Sequence, residues 1–240
     1  MNIMWGITGA GCFLRESFEA VEESKRNFNV KVTIALTRAG EELVRIYGLE
    51  DRLKNISPGG YYEEVLTEGT EGRSGYRIGR LAAGLYDALF VSPATANTVA
   101  KIVMGIADTL VTNAVAQAVK GGVPVLIVPT DQKELIETPL PHRVDREACV
   151  GCSPCPAVEA CPYGALKMVA GKAWIDLATC HGCGACVEAC PYSAVKGGER
   201  VMVRVRRVDL ENVERLKRME GISVLSSPSE LSSMLRRLEG

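Results

Sequence analysis

Neither sign of charge dominates this 240-residue chain: 28 Lys and Arg stand against 29 Asp and Glu, a net charge of -1. That balance excludes the broad basic surface of a nucleic-acid or anionic-membrane binder. No apolar run approaches the roughly 18 residues of a membrane span. The opening Met1-Asn2-Ile3-Met4-Trp5-Gly6 lacks the basic and apolar stretches of a secretory signal, so the expected location is the cytoplasm, with no nucleic-acid or membrane partner. Histidine is also scarce. The only two are His142 and His181, so residues 1–141 hold no imidazole for acid–base chemistry. Cysteine is plentiful: eight of the nine fall between Cys149 and Cys190. In a reducing compartment such clustered thiols serve as metal ligands rather than bridges.

Residues 1–141 alternate buried strand runs (3–8, 30–37, 89–92, 123–128) with helical stripes. Leu14, Phe18 and Val21 form one stripe, and Leu43, Ile46 and Tyr47 another that stops at Gly48. Ile78, Leu81, Ala82 and Leu85 predict a further helix. Val99, Ile102, Val103 and Ile106 continue, after a break near Gly105, into Leu110, Ala114 and Ala118. Strand–helix alternation predicts an α/β fold, a parallel sheet covered on both faces. Residues 55–75 read as a loop or flap with one short strand near Val65. Thr138-Pro139-Leu140-Pro141 reads as a linker, residues 142–199 as a small cysteine-rich α+β domain, and residues 200–240 as a tail packing back onto the first domain. In that tail residues 201–208 and 223–225 read as strands, with helices from Asp209 and Ser229.

The cysteine spacings are Cys149-x2-Cys152-x2-Cys155-x5-Cys161-Pro162 and Cys180-x2-Cys183-x2-Cys186-x3-Cys190-Pro191. Three thiolates two residues apart wrap one face of an iron–sulfur cube, and the following Cys-Pro ligates the other cube. One [4Fe–4S] cluster then takes Cys149, Cys152, Cys155 and Cys190, and a second takes Cys180, Cys183, Cys186 and Cys161. Paired Cys-x2-Cys also makes zinc sites, but a third cysteine at the same spacing, twice, argues against zinc. Over residues 143–197 the segment resembles a bacterial two-cluster ferredoxin, departing from it by two extra residues before Cys161.

Two strand ends in the first domain carry small polar residues. Gly6-Ile7-Thr8-Gly9-Ala10-Gly11 fits either a tight turn or a phosphate cradle at a helix N-terminus. It is not the dinucleotide fingerprint, and Thr37, at the second strand's end, suits a phosphate or ribityl chain better than a ribose diol. A minor NADP reading runs through Arg38. Ser92-Pro93-Ala94-Thr95-Ala96-Asn97-Thr98 fits a capped helix N-terminus.

That segment, with Gly105-Ile106-Ala107-Asp108-Thr109-Leu110 after it, resembles the Pro-Ala-Ser-Ala-Asn-Thr motif and following glycine–aspartate loop of the homo-oligomeric flavin-containing decarboxylase superfamily. The resemblance covers residues 2–130. It implies a flavodoxin-like doubly wound sheet, trimeric or higher assembly, and FMN at a subunit interface. It places Gly9, Ala10 and Gly11 beside the flavin and Thr37 near its phosphate or ribityl chain. Ser92, Thr95, Ala96, Asn97 and Thr98 fall in the cofactor-binding segment, with Thr95 to Thr98 along the ring, and Asn113 at a further contact position. Asp108 reads as a helix N-cap and Cys12 as a small packed residue. The superfamily's decarboxylases use a flavin-domain histidine that is missing here, which argues against decarboxylation.

An FMN domain fused to two clusters is an electron-transfer layout, since clusters carry single electrons and flavin delivers pairs. The fusion is similar to the archaeal dihydromethanopterin reductase family of FMN and iron–sulfur flavoproteins. That resemblance implies a reduced pterin as substrate and a ferredoxin-type or other redox protein as donor. The alternative is a general electron-transfer flavoprotein without its own small-molecule substrate. No catalytic residue is assigned; water or a carboxylate of the Glu63 to Glu71 region is left as proton source.

Overall fold

The computed structural model describes every residue except 73, 74, 140, 178, 181 and 240. The chain opens with β1 (Asn2–Ile7), α1 (Leu14–Phe28), β2 (Lys31–Leu36), α2 (Arg38–Ile46) and α3 (Glu50–Ile56). Next come β3 (Val65–Thr67), α4 (Glu68–Glu71), α5 (Gly79–Ala82), β4 (Ala88–Ala94), α6 (Ala96–Val103), α7 (Leu110–Lys120) and β5 (Val125–Pro129). The cysteine segment holds β6 (Leu135–Pro139), β7 (Arg143–Val144), α8 (Pro156–Glu159), β8 (Leu166–Val169) and β9 (Lys172–Ile175). It closes with α9 (Ala185–Ala189), β10 (Val195–Lys196) and β11 (Arg200–Arg204), and the tail adds α10 (Arg207–Leu216), β12 (Ile222–Val224) and α11 (Leu231–Glu239).

Two compact units result: Met1–Arg45, Leu49–Glu134 and Val205–Gly240 form one, and Ile46–Gly48 with Leu135–Arg204 the other. In the first unit six parallel strands run in the order β12-β5-β4-β1-β2-β3. Helices cover both faces, so the strands read as unbroken apolar runs; all seven residues of β4 are buried. The architecture is the doubly wound, flavodoxin-like α/β sheet. Successive strands run outward from β1 through β2 to β3, then from β4 through β5 to β12. The crevice at the carboxyl ends of β1 and β4 is therefore the topological switch point, where such sheets bind ligands.

The sequence boundaries at 141/142 and 199/200 move to 134/135 and 204/205. The cause is an antiparallel ribbon: β6 pairs with β11 from Leu135↔Arg204 to Pro139↔Arg200, which draws both segments into the cysteine unit. Thr138 and Pro139 are thus strand residues rather than linker; Leu140 lies outside the described residues. The tail supplies the sheet's last strand, with Ile222 paired to Val125 and Leu216 and Leu231 fully buried. Gln132 fastens it there, its Nε2 donating to the carbonyls of Pro129 (2.8 Å) and Leu225 (3.0 Å). The helix expected through Leu85 ends at Ala82 because Gly84 turns the chain at φ 66. The strand expected over 201–208 ends at Arg204, and Arg207 already begins α10.

Candidate functional site

Thr8 holds the switch-point crevice together. Its hydroxyl donates to the Pro93 carbonyl (2.7 Å) and accepts from the Thr95 amide (3.0 Å), stitching the end of β1 to the end of β4. The residue is 1% exposed. Sequence reasoning did not single it out, although a hydroxyl at a strand end directly before Gly9 is the signal that could have done so.

The glycine turn serves packing first. A Cβ on Gly9 would lie 2.5 Å from the Ala39 Cβ, and one on Gly40 would lie 2.5 Å from the Ile7 carbonyl oxygen. Loop and α2 therefore meet at backbone distance. Beyond Gly9, Ala10 and Gly11 the chain enters α1 through Phe13 at φ 63, with no side-chain cap. A helix start without a side-chain cap, at the carboxyl end of β1, presents backbone amides to an anion and fits a flavin phosphate. Thr37 is largely committed to the fold: its hydroxyl accepts from the Gly40 amide (3.1 Å) and donates to the Ile7 carbonyl (3.4 Å).

On the β4 side, Thr95 caps α6, accepting from the Thr98 amide at 3.1 Å. The capping role of this segment and its place at the crevice coexist. Asn97 is exposed on the first turn, Ala96 is half-buried and Thr98 is buried. Ser92 is 0% exposed, with its hydroxyl 2.7 Å from that of Ser17, so its side chain is committed to packing beneath the crevice. Asn113 is half-buried on α7, where its Oδ1 accepts from Gln117 (3.3 Å).

Three further expectations change. Thr109, not Asp108, caps α7, in a reciprocal pair with Thr112; Asp108 instead accepts from Lys101 at 2.8 and 2.9 Å. Cys12 is exposed rather than packed, and local desolvation followed by Glu16 and Asp131 pushes its thiol above the ordinary range. The carboxylates between Glu63 and Glu71 are engaged: Glu63 by Lys25, Glu64 by Arg80, Glu71 by Arg77, and Glu68 by the Arg38 and Leu110 amides.

In the second unit cysteines of each run lie close enough to interact with one another. Burial raises the Cys186 thiol, and Cys180, Cys161 and Cys183 raise it further by repulsion between like charges. Cys152 is raised by desolvation and then by Cys155 and Cys149. Repulsion of this kind is relieved when a bound cation shares the thiolate charge. Among the described residues no three His, Cys, Asp or Glu side chains converge on a point suited to a single metal ion.

The two Cys-Pro residues are held differently. Burial pulls Cys161 up, but the amides of Leu166, Tyr163, Ala165 and Gly164 outweigh it and hold the thiol below its ordinary range. At Cys190, burial is outweighed in the same way by Val195, Tyr192, Ala194 and Ser193. Four amides aimed at each sulfur, at matching offsets in the two repeats, form a thiolate cradle. His142 is buried. His181 lies outside the described residues.

Fold and site together define a flavoprotein fused to an iron–sulfur domain. The Flavoprotein family matches residues 1–145, and the 4Fe-4S dicluster domain family matches residues 128–195. A Methanosarcina mazei protein named dihydromethanopterin reductase (acceptor) is 51% identical over 232 residues, covering 96% of this chain and 97% of its own. A Methanocaldococcus jannaschii protein of the same name is 47% identical, covering 96% and 94%. The chain belongs to the dihydromethanopterin reductase (acceptor) family of flavoproteins. Among solved structures, Burkholderia xenovorans DmrB in complex with FMN, described as a cubic protein cage for redox transfer, is 26% identical. It covers 99% of this chain and 94% of its own, with a TM-score of 0.61.

Proposed function

We propose that the protein is an oxidoreductase that passes electrons through two [4Fe–4S] clusters and FMN to dihydromethanopterin, yielding tetrahydromethanopterin. The observation that carries this reading is one chain joining an uncapped helix start at a sheet switch point to two repeated thiolate cradles, at 51% identity to a reductase of that name. Cys149, Cys152, Cys155 and Cys190 hold one cluster; Cys180, Cys183, Cys186 and Cys161 hold the other. Gly9, Ala10 and Gly11 with the first amides of α1 take the FMN phosphate, while Thr37 lies near the phosphate or ribityl chain and Thr95, Ala96, Asn97 and Thr98 border the ring. Asn113 makes a further contact from α7.

When bound, the clusters supply single-electron transfer and FMN couples it to two-electron reduction of the pterin. The chain's own part is positional: the Thr8 stitch fixes the crevice, and the amide cradles stabilise thiolate charge. A ferredoxin-type or other redox protein supplies electrons from outside. The assembly is a homo-oligomer built from trimers, with FMN at the interface between copies.

The test is an anaerobic one. Chemically reduced protein mixed with dihydromethanopterin is expected to recover its oxidised flavin spectrum and form tetrahydromethanopterin in proportion to flavin. A flavin that stays reduced with the pterin but discharges rapidly to a protein acceptor would make the chain an electron carrier instead. Asn97→Ala is expected to weaken FMN retention, because the lost amide both donates and accepts.

A further inference from the structure

His142 is 7% exposed, and no hydrogen-bond partner for its imidazole occurs among the described residues. A buried imidazole always carries at least one polar nitrogen that costs free energy when left unsatisfied. Three glycines surround it, each at positive φ: Gly182 (64), Gly197 (153) and Gly198 (74). A Cβ on Gly197 would lie 2.5 Å from the His142 Cα and 2.7 Å from its Cγ, so the 197–198 turn closes over the ring. The other end of the ring lies beside both Gly198 and Gly182. A Cβ on Gly182 would lie 3.9 Å from His142 Cε1, and one on Gly198 would lie 3.9 Å from both Cε1 and Nε2.

Gly182 sits between Cys180 and Cys183, in the ligand turn of the second cluster. The equivalent turn of the first repeat, Cys149-Val150-Gly151-Cys152, is approached by backbone instead: a Cβ on Gly151 would lie 2.2 Å from the Gly171 carbonyl oxygen. The two halves repeat each other in ligands and cradles but differ in what covers this turn.

The geometry points to His142 as a positioning and tuning residue whose ring N–H donates to a sulfur of the cluster held by Cys180, Cys183, Cys186 and Cys161. Hydrogen bonds to cluster sulfur stabilise the more negative, reduced state and so raise the reduction potential. The imidazole thereby separates the potentials of two clusters that otherwise have matching ligands. The inference rests on the two-cluster reading proposed above.

The experiment is a potentiometric titration of the full-length protein, followed by EPR at a single pH under anaerobic conditions. In His142→Phe one of the two cluster midpoints is expected to fall while the other stays, with iron still near the roughly eight per chain of two cubes. His142→Gln, whose amide still donates, is expected to lower the same midpoint by less. Two unmoved midpoints in an iron-replete His142→Phe protein, or an equal fall in both, overturn the inference. If His142→Phe fails to hold iron, wild-type and His181→Gln proteins labelled with 15N-histidine decide the matter. Pulsed EPR of the reduced cluster is expected to show nitrogen coupling in both, and its absence overturns the inference. Wild-type protein with about four iron, or with zinc, defeats the two-cluster reading itself and this inference with it.

Discussion

The two compact units of this chain carry their chemistry in different parts of the residue. In the cysteine unit the functional atoms are side-chain sulfurs, and backbone amides play the supporting part, four of them directed at Cys161 and four at Cys190. In the parallel-sheet unit the roles reverse. There the hydroxyls of Thr8, Thr37, Ser92 and Thr95 are turned inward to stitch, cap and brace. What faces the crevice is mostly backbone: the glycine turn and the start of α1. A thiolate can bind iron only through a side chain, whereas a phosphate is held well by amides alone. Substitution should therefore act abruptly in one unit and by degrees in the other.

The sharpest break of that comparison is at the Cys-Pro positions. Cys161→Ala and Cys190→Ala are each expected to remove one cluster, bringing iron from about eight to about four per chain, since each cube needs four thiolates. Cys161→Ala should disturb the cluster of the later run and Cys190→Ala that of the earlier one. Iron and sulfide analysis with EPR reads this directly. Cys12→Ala should leave the iron count unchanged, because Cys12 belongs to the other unit.

A graded effect is expected from Thr8→Val in the sheet unit. The shape is kept, but the Pro93 carbonyl and Thr95 amide lose a buried partner, at a cost of about 1–3 kcal/mol. Denaturant unfolding gives the stability loss, and a flavin titration should show weaker FMN binding as the strand ends part. Gly9→Ala should cost about 1–3 kcal/mol by overpacking against Ala39, and Ala39→Gly should restore part of it in the double variant. Additive losses would show that the clash with Ala39 is not the cause.

The same contrast explains how much was legible in the sequence. Cysteine spacing is tied to cluster geometry, so the 4Fe-4S domain could be recognised directly from residue numbers. The strands of the sheet were legible for a similar reason: strands covered on both faces leave unbroken apolar runs. The unit boundaries were not, because the β6–β11 ribbon pairs residues about sixty positions apart and leaves no local composition signal. Ser92 and Thr95 differ in burial although both are hydroxyl residues in one short segment, because Ser92 lies inside β4 and Thr95 follows it as the cap of α6. Thr8 was obscured by the glycines beside it. The place of His142 depends on the Gly197 turn, 55 residues away, so its surroundings could not be inferred from its neighbours in sequence.

The smallest expected effect lies at the edge of the first ligand run. Asp145 accepts from Lys196 at 2.8 Å and from the amides of Glu147 and Ala148 at 3.1 and 3.2 Å. Its own amide donates to Ala194 (2.7 Å), and its carbonyl accepts from the Cys149 amide (3.0 Å). It thus pins the start of the first cluster turn to the strand that follows the second Cys-Pro. Its carboxyl is held down to about 2, first by the Lys196 hydrogen bond and then by the Ala148 amide. A carboxyl whose folded pKa lies below its unfolded value stabilises the fold above the unfolded pKa, and that contribution is lost as pH falls through the folded pKa. Asp145→Asn should therefore be modestly less stable than wild type at pH 7, since the pair is solvent-exposed and screened. The gap should begin to close below about pH 4 and be lost as pH falls through about 2, the window set by the ordinary and shifted pKa values. Anaerobic denaturant midpoints of the two proteins across that range test it. A gap that stays constant down to pH 2 would assign the stabilisation to the backbone bonds of this turn rather than to the carboxylate.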